Sequence, residues 1–217
     1  MSVSISDPHA DRKRLEKRLE LVAAVVMSIA TVFTAWSAFQ SSKWGGVMAI
    51  EFSRAGAERT ESAKATTRGA ALAETDVALF TGWLDATASG ADELADFYEA
   101  RFRQEFRPAF EAYLAADPLG NPDAPASPFV LDEYQVERLR EADRLAAQAD
   151  AASQSARDAN QQGDNYTLMT VVFASVLFFA GISTKFDDVR AQVLTVGLGA
   201  VVLAVAGIGV ATFPIEI

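Results

Sequence analysis

The chain has 217 residues, a net charge of −10 and no cysteine. That length holds one domain, or a membrane anchor with one modest domain, and the missing cysteine excludes a disulfide framework or a thiolate metal site. The hydrophobic half of the chain is clustered. Three stretches, 21–39, 166–184 and 193–213, are apolar over the roughly 20 residues that a bilayer crossing needs.

In chain order, residues 1–11 read as a disordered polar tail. It holds His9, the single histidine, too isolated there for a ligand or a base. A basic helical lead-in follows, with Arg12, Lys13, Arg14, Lys17 and Arg18. Such residues fix topology and can touch lipid head groups. The apolar stretch after it is too long for a cleaved signal, and a helical pattern runs straight past it. Trp36 and Trp44 fall near its far end, where indoles favour the membrane interface.

One helical stretch, 20–84, organises the rest. Ala24, Ser28, Thr31, Ala35, Ala38, Ser42, Gly45, Ala49, Phe52, Gly56, Arg59, Ala63, Thr66, Ala70, Ala73, Val77, Phe80 and Leu84 recur at steps of three and four. That spacing is a heptad seam of small residues, which lets helix backbones approach closely. Gly45 and Gly46 are read as close packing, and Arg59 either pairs with an acid or marks a gap in the partner. The other charges are expected off the seam. Ser89 and Gly90 end the helix.

A second helix is expected over 91–116, kinked or broken by Pro108. Its aromatic face of Leu94, Phe97, Tyr98, Phe102, Phe106, Phe110, Tyr113 and Leu114 is expected to pack on Val77, Phe80, Trp83 and Leu84. Residues 117–128 carry four prolines and read as a stiff loop. Phe129 and Val130 are expected against the aromatic face, with a third helix from Asp132. Its seam is Leu139, Ala142, Ala146, Ala149, Ser153, Ala156, Asn160, Gly163, Thr167, Thr170, Ala174, Leu177, Gly181 and Thr184, and it runs into the second apolar stretch. Two such seams predict an antiparallel pair, with 160–165 as the weakest point of register. The third apolar stretch carries Ala200, Ala204, Gly207 and Ala211 at packing distance.

Basic residues in the tail and in the link 185–192 set the orientation: both cytoplasmic, with 41–165 and the C-terminus outside. The 41–165 segment holds 12 Lys and Arg against 22 Asp and Glu. An acidic domain is a poor partner for nucleic acid or anionic lipid.

Motifs for chemistry are missing: no HExxH, Walker A, GxSxG or GxGxxG after a strand. Catalytic, cofactor and metal residues are therefore not assigned. The cluster Glu99, Arg101, Arg103, Glu105 and Arg107 is either an ion-pair or anion patch, or ordinary pairing along a helix worth tenths of a kcal/mol; the second reading is preferred. No ionisable residue falls in the three apolar stretches, which argues against an ion-coupled carrier.

The stretches TAWSAFQSSKWGG, FYEARFRQEFRPAF, SPFVLDEY and NYTLMTVVFASVLFFAGIST resemble a family of uncharacterised bacterial three-span membrane proteins. The plan of one span, a helical middle and two closing spans is also similar to the DUF4337 proteins. These resemblances imply topology and no function. Low Lys with high Ala, Arg and Asp fits a high-GC bacterium.

The expected fold is an all-α integral membrane protein with three transmembrane helices, 20–40, 166–184 and 193–213, and a long extramembrane helical hairpin or bundle, 41–165. Residues 1–19 are the cytoplasmic tail and 214–217 the C-terminal tail, in a bacterial inner membrane. The expected role is a non-enzymatic structural or interaction module. Its partners are the lipid bilayer and a second copy or another membrane protein, through Ala24, Ser28, Thr31, Ala35, Ala63, Ala70, Ala146, Ala149, Ala156, Thr170, Ala174, Gly181, Ala200, Ala204 and Gly207. The alternative is a pore component, with Thr167, Thr170, Ser175 and Ser183 near the path. An enzyme ranks last, because no nucleophile–base set assembles.

Overall fold

The computed structural model describes residues 8–118 and 120–217, with side chains from residue 12 onward. Residues 1–7 of the expected disordered tail, and the His9 side chain, lie outside that description. The remainder of that tail, from Pro8, is helical. Five α-helices account for the described fold: α1 (Pro8–Ala88), α2 (Asp92–Glu99), α3 (Arg107–Ala115), α4 (Glu137–Ser183) and α5 (Val189–Ala211). The chain divides into two units, one of residues 1–52 with 154–217 and one of residues 53–153.

In the first unit, α4 runs antiparallel to α1: Ser41 and Thr167 share a hydrogen bond of 2.8 Å, and Phe33 stacks on Phe173 at 5.1 Å. The two helices meet at Gly163, where even a methyl group would stand only at ordinary contact distance. A Cβ there would sit 3.6 Å from the Ser41 carbonyl oxygen and 3.7 Å from the Trp44 Cβ. α5 returns along both. Gly199 lies against Phe179 and Val176, and Gly207 against the Phe33 ring. The core joins Val26, Ala30, Tyr166, Phe173, Val176, Ala180, Leu203, Ala206 and Val210. Outside it, Leu21, Val32, Leu168, Val171, Phe178, Leu194, Val201, Val205 and Ile208 are exposed. Helices α1, α4 and α5 are each long and apolar enough to cross a membrane.

The two ends of this unit are tied differently. At one, the Arg12 guanidinium donates to the Asp187 carbonyl oxygen at 3.0 Å, so the basic lead-in lies beside the α4–α5 link. At the other, the chain after α5 folds back. Trp44 Nε1 and the Tyr166 hydroxyl both donate to the Pro214 carbonyl oxygen, at 3.2 and 3.1 Å. The fully buried Gln40 amide pairs with the Glu216 backbone as a strand would, donating at 3.0 Å and accepting at 2.9 Å. The expected weak point at 160–165 stays helical. Asn160 donates to Asp164 and Gln161 to Asn165 across one turn.

In the second unit α1 and α4 are again antiparallel. Ser62 Oγ donates to the Ala142 carbonyl oxygen at 2.8 Å, and Arg59 reaches Ser153 Oγ at 2.8 Å and Asp150 at 3.5 Å. Arg59 is thus paired, and no gap in the partner is needed to explain it. A Schellman turn closes α1: Ala91 N–H bonds to the Ala86 carbonyl and Gly90 N–H to that of Thr87, with Gly90 at φ 69°.

The expected helix over 91–116 is two helices. Pro108 stands in the first turn of α3, where its missing N–H costs nothing. In an unbroken helix its ring would clash with the carbonyl of residue 104. The turns at 100–106 let Phe102 and Phe106 enter one core with Phe80, Phe110 and Tyr113. Trp83 meets Phe110 edge-on at 4.8 Å, and Phe129 stacks on Phe106 at 5.4 Å. Val77, Leu84, Leu94, Phe97 and Leu114, expected in this core, are exposed, and so is Val130. The third helix begins at Glu137 and not at Asp132. A 3-10 turn at Pro128–Val130 and the Tyr134 ring hold residues 128–136 around the aromatic core.

The packed stripe of α1 is displaced by one residue from the expected seam. Ala23, Val26, Ala30, Ser37 and Gln40 are buried in the first unit, and Ala55, Ala65, Gly69, Asp76, Phe80 and Ala86 in the second. The steps are still threes and fours, but the face is rotated by roughly 100°. A methyl group placed on Gly45 or Gly46 would meet no atom within 4 Å, so neither is a close-packing site within the chain.

Ala149 of α4 is fully buried, whereas Ala63 of α1 is exposed. Ala149→Leu is expected to lower stability by about 1–3 kcal/mol through overpacking, and Ala63→Leu to change it by less than about 0.5 kcal/mol. Thermal unfolding of a dilute, monomeric preparation measures both. An equal loss in the two variants would contradict the displaced seam.

Candidate functional site

Among the described residues, the one carboxylate that is fully buried in the second unit is Asp76, on the packed face of α1. It lies one heptad after Gly69 and one before Trp83, so the helix turns it inward with them. Removing such a charge from water is costly unless donors replace the lost hydration. Three do. Arg103 Nε donates to Oδ1 at 2.9 Å, Arg103 Nη2 to Oδ2 at 2.5 Å, and the Tyr134 hydroxyl to Oδ2 at 3.2 Å. The third guanidinium nitrogen of Arg103 pairs with Glu105. A planar guanidinium holding both carboxylate oxygens fixes direction as well as distance.

Each partner arrives on a different element. Arg103 sits in the turn between α2 and α3, which the chain needs because Pro108 ends any helix there. Tyr134 sits in the turns before α4, its ring against Phe106 at 5.9 Å. Asp76 therefore ties three chain segments to one point beside the aromatic core. The hydrogen bond to Asp76, more than the opposing effect of burial, holds the Arg103 guanidinium above its ordinary pKa, so it stays charged. Burial first, and then the negative charge of Asp76, push the Tyr134 phenol up to about 12.

The arrangement suits a structural tie more than a reaction. Three donors converge on the Asp76 carboxylate, and its full burial closes it to solvent and to a substrate. A groove lined by Glu105, Pro108, Glu133, Gln135, Glu137 and Arg140 does not include Asp76. Among the described residues, no group of three or more His, Asp or Glu is placed to hold a metal ion.

The expected ion-pair patch divides. Arg103 belongs to the buried centre, and Glu105 pairs with it from the surface. Arg101 lies over the Phe97 ring, 3.2 Å from its centroid, and donates to the Phe97 carbonyl. Arg107 reaches back to the Glu99 carbonyl at 3.3 Å. The expected helix-packing residues divide too. Ala149 and Ala156 are fully buried, and Thr170, Gly181, Ala200 and Gly207 are half-buried. Ala24, Ser28, Thr31, Ala35, Ala63, Ala70, Ala146, Ala174 and Ala204 are exposed. The residue pattern did not single out Asp76, Tyr134 or Gln40. The available signal for Asp76 was its place in the heptad of Gly69 and Trp83.

No family model, no curated protein and no solved structure matches this chain.

Arg103→Met alone leaves Asp76 buried without its counter-charge, with only the Tyr134 hydroxyl beside it, and is expected to cost about 3–5 kcal/mol; joining it to Asp76→Leu recovers most of that loss. Unfolding of the single and double variants measures the coupling, and simple additivity would contradict the buried pair. A raised Tyr134 pKa means that the folded state holds the proton longer. Its contribution to stability is complete below pH 10 and is lost as pH rises through about 12. Phenolate absorbance should therefore show a late ionisation that Tyr134→Phe removes.

Proposed function

We propose that this chain is a non-enzymatic integral membrane protein that crosses the bilayer three times and acts as a structural or interaction module. It associates with further copies of itself through the uncovered face of α1. The observation that carries this reading is the presence of two small-residue stripes on one helix. α4 occupies the stripe that contains Ala23, Ala30, Ala55 and Ala65. The stripe one residue further on stays exposed, with Ala24, Ser28, Thr31 and Ala35 in the first unit and Gly56, Ala63, Thr66 and Ala70 in the second. Small side chains at heptad spacing permit a backbone approach that a large side chain would block, in lipid and in water.

The membrane assignment rests on three apolar helices and on the exposed apolar side chains around them. Orientation follows from basic residues: Arg12, Lys13, Arg14, Lys17, Arg18, Lys185 and Arg190 on the cytoplasmic side, with 41–165 outside, in a bacterial inner membrane. The similarity of plan to the DUF4337 proteins is part of this reading. A pore is the weaker alternative. Thr167, Thr170, Ser175 and Ser183 each donate to a carbonyl of their own helix, so the proton of each hydroxyl is already engaged.

The test is the mass of the full chain in a lipid nanodisc, measured for the parent and for Ala63→Leu with Ala70→Leu. A multimer that falls to monomer in the variant, with helix content unchanged, is the expected result. A monomeric parent overturns self-association, and an unchanged multimer in the variant overturns the choice of face.

A further inference from the structure

We propose that the end of the first unit where α1 begins and α5 begins is a docking site for one anionic phospholipid. This rests on the three-span reading above. Seven cations lie on the residues at that end: Arg12, Lys13, Arg14, Lys17, Arg18, Lys185 and Arg190. The acids there are Glu16, Glu20, Asp187 and Asp188. Arg12 spends Nε on Glu16 and Nη2 on the Asp187 carbonyl. Asp188 is also committed, its carboxylate capping α5 at the Arg190 N–H, 3.0 Å away. Among the described residues the Arg190 guanidinium has no hydrogen-bond or ion-pair partner.

An open groove of about 490 Å³ lies between the two helices at this point, lined by Arg12, Leu15, Asp188, Val189 and Arg190. Its chemistry is mixed in a specific way. Arg12 and Arg190 supply cations at the rim, while Leu15 and Val189 supply an apolar floor. Past Glu20 on α1 and Gln192 on α5, the exposed side chains turn apolar, with Leu21 and Val22 on α1 and Val193 and Leu194 on α5. A free phosphate would use the rim and leave the floor wet. A phospholipid uses both, with its phosphate between the two guanidiniums and an acyl chain along the exposed α1 and α5 side chains. Guanidinium is also the cation best matched to a phosphate's paired oxygens. A zwitterionic lipid brings its own cation to the same rim and gains less there. Arg12 and its fixed bond to the α4–α5 link keep the rim in place.

The full chain is extracted from membranes in mild detergent and mixed with equal amounts of phosphatidylglycerol and phosphatidylcholine, and retained lipid is counted by native mass spectrometry. Retention of one phosphatidylglycerol over phosphatidylcholine is expected. Arg12→Gln with Arg190→Gln should reduce that preference about tenfold or more. Lys13→Gln with Lys185→Gln removes the same charge from residues that do not line the groove, and should reduce it far less. Equal losses in the two pairs would overturn a site in favour of diffuse attraction. Equal retention of the two lipids, or displacement of phosphatidylglycerol by millimolar inorganic phosphate, would overturn the proposal outright. Recovery of the chain in the soluble fraction, before any lipid is added, would instead overturn the three-span reading.

Discussion

The structure depends on the close antiparallel contact of α1 with α4. Each unit repeats it with the same kind of residue. Gly163 meets the Ser41 backbone in one, and Ala149 and Ala142 meet the buried face of α1 in the other. Alanine and glycine contribute little buried apolar area apiece. Their value is in proximity, which multiplies weak dispersion contacts along many turns. Such a contact needs stronger ties at intervals to fix its register, and the chain supplies them. Phe33 on Phe173 and the Ser41–Thr167 hydrogen bond serve the first unit, and Arg59 with Ser153 serves the second.

Asp76 is the costliest of these ties and the most specific. A hydrophobic residue in its place would fill the same position without a desolvation penalty. What the carboxylate adds is direction. It selects one turn, at Arg103, and one loop, at Tyr134, and sets both beside Phe106. The aromatic cluster alone is tolerant of rearrangement, since rings pack acceptably in many offset and edge-on arrangements. A buried charge makes an arrangement that fails to pair it costly.

Helix type, the apolar stretches and the antiparallel pairing were legible in the residues, because each follows from periodicity and length. The choice of face was not. In an alanine-rich helix, two adjacent stripes can both be small at steps of three and four. Gly56, Ala63, Thr66 and Ala70 form as regular a row as Ala55, Ser62, Ala65 and Gly69. Only the large residues discriminate: Phe33, Trp44 and Trp83 fall on or beside the second row and pack against the cores, whereas Phe80 belongs to the first row as well. Asp76 was hidden for a related reason. A carboxylate reads as a surface residue until its partners are known, and they lie 27 and 58 residues further along the chain. A break at Pro108 was legible, but not its place: proline stands in the first turn of α3, so the interruption falls at 100–106, ahead of it.

Central to the proposed function is that α1 carries two packing faces, one closed by α4 and one open to a second copy. The absence of native cysteine makes a direct test simple. Ala63→Cys and Ala65→Cys are introduced singly into the full chain and oxidised in native membranes, and the products are resolved by non-reducing electrophoresis. The predicted result is a covalent dimer from Ala63→Cys and none from Ala65→Cys, which lies under α4. A dimer from Ala65→Cys, or monomer from both, would contradict the two-faced helix.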